Sequence, residues 1–247
     1  MLKFWLTNIL FLTGFILFFI FKTEHQLSCW WLLAWVHLFL LVQFIGSYFI
    51  GLNFHLRSMN ALPGNQKQVM LTFDDGPDPE YTGKVLDVLK KHEVKAVFFV
   101  IGKNIAGQES LMERIVREGH LIGNHSYSHA FWFDLWPTSR VKTDLANCTQ
   151  SIEIFQPFKN LFRPPYGVTN PNIARAVRTL GLRSIGWNIR SYDTSIKDVS
   201  KINQRILSRL KPGAIILLHD RLDFMPDLLE KLIPEVKARG YNFHLIS

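Results

Sequence analysis

LTFDDGP, Leu71–Pro77, ends an apolar run with two adjacent carboxylates and then turns through Gly and Pro. Successive side chains on a strand point to opposite faces, so Asp74 and Asp75 can serve one site only where the strand stops and the backbone bends. Gly76 and Pro77 are residues that make such a bend. The same succession of apolar run, turn and helical period repeats along the chain. Strand candidates fall at Val69–Asp74, Lys95–Ile101, Leu121–Gly123, Leu161–Arg163, Arg183–Ile189, Ala214–His219 and Tyr241–Ile246. Helical segments separate them near Thr82–His92, Ser110–Glu118, Thr138–Phe155, Pro171–Leu180, Val199–Leu210 and Pro226–Arg239. Asn170 before Pro171 reads as a cap before a first-turn proline, and Gly181 as a C-terminal stop. Strands alternating with helices call for a parallel sheet, and seven such units suggest an α/β barrel of (β/α)7 type. An open doubly wound sheet is the alternative, weakened because no Gly-rich phosphate loop follows any strand.

The first fifty-odd residues differ in kind. No charged side chain occurs from Phe4 to Phe21 or from Gln26 to Leu56, with only KTEH, Lys22–His25, between the two runs. Each run is about the ~20 residues that cross a bilayer as a helix, and Trp5, Trp30, Trp31 and Tyr48 fall where interfacial aromatics belong. Two transmembrane helices, about 4–21 and 30–52, therefore form an expected membrane anchor over residues 1–55. A cleaved signal peptide is the alternative for the first run, but a second apolar run follows at once. Residues 56–65, containing NALPGN, are the expected linker to a catalytic domain over 66–247. His37 and Gln43 lie inside the second helix, where a polar side chain seeks a partner on the neighbouring helix.

Without Lys3, Lys22 and Glu24, 26 basic and 19 acidic residues remain, a formal +7 that suits an anionic membrane or an acidic polymer. The basic residues are scattered and form no nucleic-acid motif. Cys29 lies at a membrane edge and Cys148 in the soluble part, so the two are not expected to pair.

Five strands deliver ionisable groups to one rim, the edge on which barrel active sites are built. Asp74 and Asp75 follow the first strand, His125 and His129 (NHSYSH) the third, Arg163 (RPPYG) the fourth, Asp193 (WNIRSYD) the fifth and His219 (LLHD) the sixth. His125 and His129 stand at i, i+4, so on a helical turn their rings share a face. Two histidines with a carboxylate make a ligand set for Zn²⁺ or a related divalent ion, with Asp75 as the third ligand and Asp74 left as a base. A rigid Arg163 can hold Asp74 ionised and aimed through a bidentate pair.

TFDDGP, HSYSH, RPPYG and LLHD occur in the order and approximate spacing of the polysaccharide deacetylases, carbohydrate esterase family 4 or the NodB homology domain, which the chain resembles over about Gln68–Ile246. The resemblance implies a distorted (β/α) barrel and metal-dependent removal of N- or O-acetyl groups from amino sugars. It implies Asp74 as catalytic base, Asp75, His125 and His129 as metal ligands, Arg163 as the residue orienting Asp74, His219 as general acid and the Tyr166 N–H as part of an oxyanion hole. Zn²⁺ is the expected ion, with Co²⁺ or another divalent ion as alternatives. One motif departs from the pattern. Many members carry D-x-x-D-W after the fifth strand, where this chain has Arg190 at the first acid, Asp193 at the second and Thr194 at the tryptophan. Asp193 and Asp220 are both candidates for tuning His219, and the altered subsite points to a different sugar. Trp187 is a possible substrate contact. The run FWFDLW, Phe131–Trp136, is expected to pack in the core or near the membrane rather than stack on sugars.

The expected substrate is an N-acetylated glycan such as peptidoglycan or a chitin-like polymer. A lipid-linked sugar at the membrane surface is the second substrate, and a silent carbohydrate-binding membrane protein is the reading from a different class. Lys3, the N-terminal amine and Arg57 lie on one side of the membrane and Lys22 on the other, a lean of about one charge towards a cytoplasmic domain. A wall-modifying enzyme would face outward.

Overall fold

The computed structural model describes residues 2–246 except 23 and 158. Two helices open it, α1 (Leu2–Lys22) and α2 (Cys29–Tyr48), each long and apolar enough to cross a membrane. They meet through rings. Phe11 packs on Trp35 and Phe39, and the Trp35 indole N–H donates to the Phe11 carbonyl at 3.0 Å while lying against Gly14. His37, expected to face the other helix, is exposed instead, because these bulky rings fill the seam between the helices. Gln43 is half-buried, and its amide nitrogen has no partner among the described residues.

The rest of the chain builds one parallel sheet from β1 (Ser58–Met59), β2 (Gln68–Asp74), β3 (Ala96–Val100), β4 (Leu121–Asn124), β5 (Leu161–Phe162), β6 (Arg183–Ile185), β7 (Ile189–Arg190), β8 (Ala214–His219) and β9 (Asn242–Phe243). The connecting helices are α3 (Thr82–Lys91), α4 (Glu109–Arg117), α5 (Thr138–Glu153), α6 (Pro171–Thr179), α7 (Val199–Ser208) and α8 (Met225–Ala238), each within two residues of its expected bounds. The Asn170 side chain accepts from the Ile173 N–H, as its place before Pro171 predicts.

The strand order is β1-β6-β5-β4-β3-β2-β8-β7, with β9 on the start of β2. The single strand expected at Arg183–Ile189 is two short strands with different neighbours: β6 pairs with β5 and β1, and β7 pairs with β8. Since only 186–188 separate β6, which lies next to edge strand β1, from β7 at the opposite edge, this one broken segment links the two ends of the strand order and curls the sheet into a distorted barrel. The residues expected as a linker also join the sheet. Within 56–65, β1 pairs with β6, Ala61 bridges Ala214, and Leu56 and Leu62 are buried.

Side-chain alternation decides what each strand offers. In β2, Val69, Leu71 and Phe73 face the surrounding helices with Phe98, Val100, Ile216 and Leu218, while Met70 packs inside the barrel with Val97, Phe99, Leu161 and Ile215. Thr72 and Asp74 follow Met70 on the inner face. Register then sets the rim, because Asp74 lies opposite Phe99 of β3 and His219 of β8, and Asn124 of β4 lies opposite Phe162 of β5, so His125 and Arg163 emerge together. FWFDLW divides. Phe133 is buried in a core cluster with Trp136 against it, whereas Phe131, Trp132 and Leu135 are exposed.

Candidate active site

A cavity of about 630 Å³ opens at the carboxyl ends of the strands, and Asp74, Asp75, His125, His129, Tyr166 and His219 all line it. The paired aspartates reach it by different routes. Asp74 is the last residue of β2 and points inward by alternation, whereas Asp75 adopts φ +76°, which ends the strand and swings its carboxylate to the same side. The following Gly76–Pro77 peptide is cis, and the Gly76 carbonyl accepts from the Ile101 N–H at 2.8 Å.

Ligand atoms of Asp75, His125 and His129 lie within 4.8 Å of one another. Asp75 Oδ1 stands 3.6 Å from His125 Nε2 and 3.5 Å from His129 Nε2. His125 Nδ1 lies 2.8 Å from the Arg163 carbonyl, which can only accept, so Nδ1 carries the proton and Nε2 keeps its lone pair for the cavity. Burial, with the charge of His125 beside it, pushes His129 down to about 4, so its ring is neutral near pH 7. Burial works against ionising Asp75, but the neighbouring imidazoles and the Arg221 hydrogen bond outweigh it and hold the carboxyl low. Two imidazoles and one carboxylate converging on a point are the donor set of a divalent metal site, so the residues present fit such an ion.

The H-x-x-x-H pair is not helical. Ser126 (φ +65°) and His129 (φ +46°) are left-handed, and the ring centroids nevertheless come to 4.9 Å. A residue that sequence reasoning missed shapes this loop. Asp144 of α5 accepts from the N–H groups of Tyr127 at 2.8 Å and Ser128 at 3.2 Å, while Ser126 Oγ accepts from the His129 N–H at 2.9 Å. Its signal was a lone carboxylate on the apolar face that α5 shows through Val141, Leu145 and Cys148. Replacing Asp144 by Ala should lower divalent-ion affinity by about 10–100-fold, because the loop that carries His125 and His129 loses the carboxylate that holds its N–H groups. A titration of metal into the full-length variant checks this, and wild-type affinity would remove Asp144 from the site.

Arg163 is fully buried, with its guanidinium 4.2 Å from the centroid of the Phe99 ring. The expected bidentate pair with Asp74 is not formed. One nitrogen donates both to Asp74 Oδ1 and to Thr72 Oγ1 at 2.8 Å, while the other donors serve the Ile185 and Gly186 carbonyls at 3.1 and 2.9 Å. The reason is the break between β6 and β7, whose free carbonyls claim the rest of the fork. The second oxygen of Asp74 faces His125 Nε2 at 3.8 Å.

Of the two candidates for tuning His219, it is Asp193 that touches it. Asp193 Oδ1 lies 2.9 Å from His219 Nδ1 and Oδ2 accepts the His219 N–H at 2.8 Å, while Ser191 Oγ donates to Oδ1 at 2.9 Å. Burial lowers the imidazole pKa, but the hydrogen bond and charge of Asp193, with Asp74 and Asp75 nearby, outweigh it and raise the value. Asp220 instead accepts from Thr82 Oγ1 at 2.6 Å, and its complete burial pushes its carboxyl up to about 7.

Tyr166 has φ +58°, and its ring meets that of His129 edge-on at 4.7 Å. Trp187 lines the cavity and lies so close over Gly167 (φ +73°) that a Cβ there would stand 2.3 Å from the indole. Four further polar or aromatic lining residues were not expected: Arg221, whose Nε donates to Asp75 Oδ2 at 2.9 Å, Asn104, whose amide donates to the Asp75 carbonyl at 3.0 Å, Lys103, and Tyr48 from the end of α2. Arg190 and Thr194, from the departing motif, line it too.

A family model described as polysaccharide deacetylase matches residues 61–185. A peptidoglycan-N-acetylglucosamine deacetylase of Bacillus cereus is 32% identical over 191 residues, which cover 75% of this chain and 89% of that protein. A chitooligosaccharide deacetylase of a Bradyrhizobium species is 34% identical over 194 residues, covering 72% of this chain and 88% of that protein. Among solved structures, PdaA of Bacillus subtilis, a family 4 carbohydrate esterase, superposes with a TM-score of 0.68 at 31% identity, covering 75% of this chain and 81% of that one. A family 4 pseudoenzyme of Bacillus anthracis superposes with a TM-score of 0.69 at 26% identity, covering 76% and 68%.

Proposed function

The chain belongs to the polysaccharide deacetylase family, carbohydrate esterase family 4, and from that premise we propose that it hydrolyses the N-acetyl group of an amino sugar with a divalent ion held by Asp75, His125 and His129. The observation that carries this reading is a single cavity lined by Asp74, that trio and His219, in which Asp74 is backed by the buried Arg163 and His219 by the buried Asp193. Zn²⁺ suits two imidazoles and a carboxylate with open positions. When bound, such an ion polarises the amide carbonyl and makes water more acidic.

Asp74, whose Oδ1 accepts a hydrogen bond from Arg163, takes a proton from the attacking water. The Tyr166 N–H faces the oxygen on which negative charge develops. His219, proton on Nε2 and Nδ1 fixed by Asp193, delivers that proton to the departing nitrogen as the C–N bond breaks, because an amine leaves badly as an anion. Water and amide are consumed, and acetate and the amino sugar are released. Trp187 forms a wall of the sugar subsite.

Likeness to a pseudoenzyme makes silent carbohydrate binding the second reading. Turnover is favoured because base, acid and trio are all present with their partners. α1 and α2 serve as a membrane anchor for the catalytic domain, whose sheet begins with β1 at Ser58–Met59.

The test is acetate release from acetylated chitin oligomers, peptidoglycan fragments and lipid-linked amino sugars by full-length protein, with chelator and with Zn²⁺ or Co²⁺. Metal-dependent release from any of them is expected. Silence on all of them, with metal bound, would favour the pseudoenzyme reading.

Asp193→Asn removes the charge that raises His219. The acid must be protonated to act, so activity falls as pH rises through its pKa, and lowering that pKa moves the alkaline limb of the kcat profile to lower pH. A profile with an unmoved limb would dissociate Asp193 from the acid.

A further inference from the structure

Beside the active cavity runs a second one of about 470 Å³, and the two share Tyr48, Trp187 and Arg190. One wall of this groove is the end of α2 and the turn after it, with Ile45, Tyr48, Phe49 and Leu52, all of them exposed. The rest of its lining, from around β7 and α7, carries three basic residues, Arg190, Arg205 and Arg209. Two of these guanidiniums lie against the Tyr192 ring, at 5.1 Å for Arg190 and 4.3 Å for Arg205, and Arg205 Nε donates to the Arg190 carbonyl at 3.0 Å. Among the described residues no carboxylate lies within ion-pair distance of any of the three. The apolar wall is fixed to the catalytic centre, because the Thr169 N–H, just beyond RPPYG, donates to the Ser47 carbonyl of α2 at 3.0 Å.

Clustered guanidiniums repel one another, and a neutral glycan offers them nothing to neutralise. A phosphate does, since the guanidinium fork matches it in charge and geometry. The apolar wall continues a helix long enough to cross a bilayer, so whatever fills the groove presents hydrocarbon on one side and an anion on the other. Because Arg190 belongs to both cavities, the anion in the groove sits next to a sugar in the active cavity.

Resting on the deacylase reading, we infer that the substrate is an acylated amino sugar carried on a lipid phosphate or pyrophosphate. Its phosphate lies against Arg190, Arg205 and Arg209, and its lipid lies along Ile45, Phe49 and Leu52. The anchor thereby contributes a wall of the substrate site as well as tethering the domain.

The test is native mass spectrometry of the full chain in neutral detergent with a polyisoprenyl phosphate, the matched polyisoprenol, inorganic phosphate and phosphatidylglycerol. The polyisoprenyl phosphate should bind at least roughly tenfold more tightly than the alcohol, which corresponds to one charge-assisted hydrogen bond or more. Arg205→Gln with Arg209→Gln should remove that advantage, and Arg205→Lys with Arg209→Lys should restore part of it. Equal binding of phosphate and alcohol, indifference to the double substitution, inorganic phosphate binding as well as the lipid phosphate, or phosphatidylglycerol competing on equal terms would each overturn the inference.

A hydrolysis arm separates the two readings. Acetate release from a soluble oligosaccharide without arginine-dependent lipid phosphate binding would sink this inference and leave the deacetylase standing. Arginine-dependent binding with no acyl release from any sugar would overturn both the deacetylase and the substrate assignment. The inference is sustained when an N-acetylated sugar on polyisoprenyl pyrophosphate is the better substrate in kcat/KM and the double Gln variant loses that preference.

Discussion

Asp74→Asn is expected to lower kcat by about a hundred- to ten-thousand-fold, the contribution of a positioned general base, while the protein still takes up a divalent ion. The substitution is nearly isosteric and lets an amide oxygen keep the hydrogen bond that Arg163 gives to Oδ1. It leaves Asp75, His125 and His129 in place. What it removes is the ability to accept a proton from water. Asp74 is also buried and faces a buried Arg163, so losing its charge leaves that guanidinium uncompensated and some loss of stability accompanies the loss of rate. The experiment pairs acetate release with a metal titration of the same preparation. Wild-type turnover would end the assignment of Asp74 as base, whereas loss of metal and turnover together would make it a ligand in its own right.

The reading of Leu71–Pro77 shows what was legible in the sequence and why. Apolar runs that stop at turn residues gave the strand ends, and because barrel strands deliver their last residues to one rim, the ionisable groups there followed almost directly. Both aspartates were placed from the argument that the strand must end between them, and φ +76° at Asp75 is how it ends. What a pattern cannot carry is a contact made by a distant segment. The break between β6 and β7 depends on neighbours that change from β5 to β8 along one run of residues, and β1 is a strand only because β6 is there to pair with it. The bidentate Arg163–Asp74 geometry failed for the same reason, since the carbonyls that compete for the guanidinium lie at that break. The helical turn expected for His125 and His129 does not form because Asp144, fifteen or more positions away, binds the loop's N–H groups and sets its shape. Tyr48 was legible as an interfacial aromatic, but its place in the catalytic cavity needs the packing of α2 against the loop after RPPYG.

Arg163→Ala is expected to cost about 3–5 kcal/mol of stability, the range for breaking a buried ion pair by removing one partner. The guanidinium is fully buried and makes four hydrogen bonds, to Asp74, Thr72 and the carbonyls of Ile185 and Gly186. Its removal leaves the Asp74 carboxylate buried without a counter-charge and two carbonyls unsatisfied, at the point where the sheet is joined to itself. The loss reads out as a lower denaturant midpoint. Arg163→Lys separates the charge from the geometry, because an ammonium restores the neutralisation of Asp74 but carries its donors on one atom and cannot reach both broken-strand carbonyls and the inner face of β2 together. It should therefore recover part of the stability while kcat stays well below wild type. If the Lys variant turned over like wild type, the orientation that Arg163 imposes on Asp74 would be irrelevant to the reaction and its role would be charge alone.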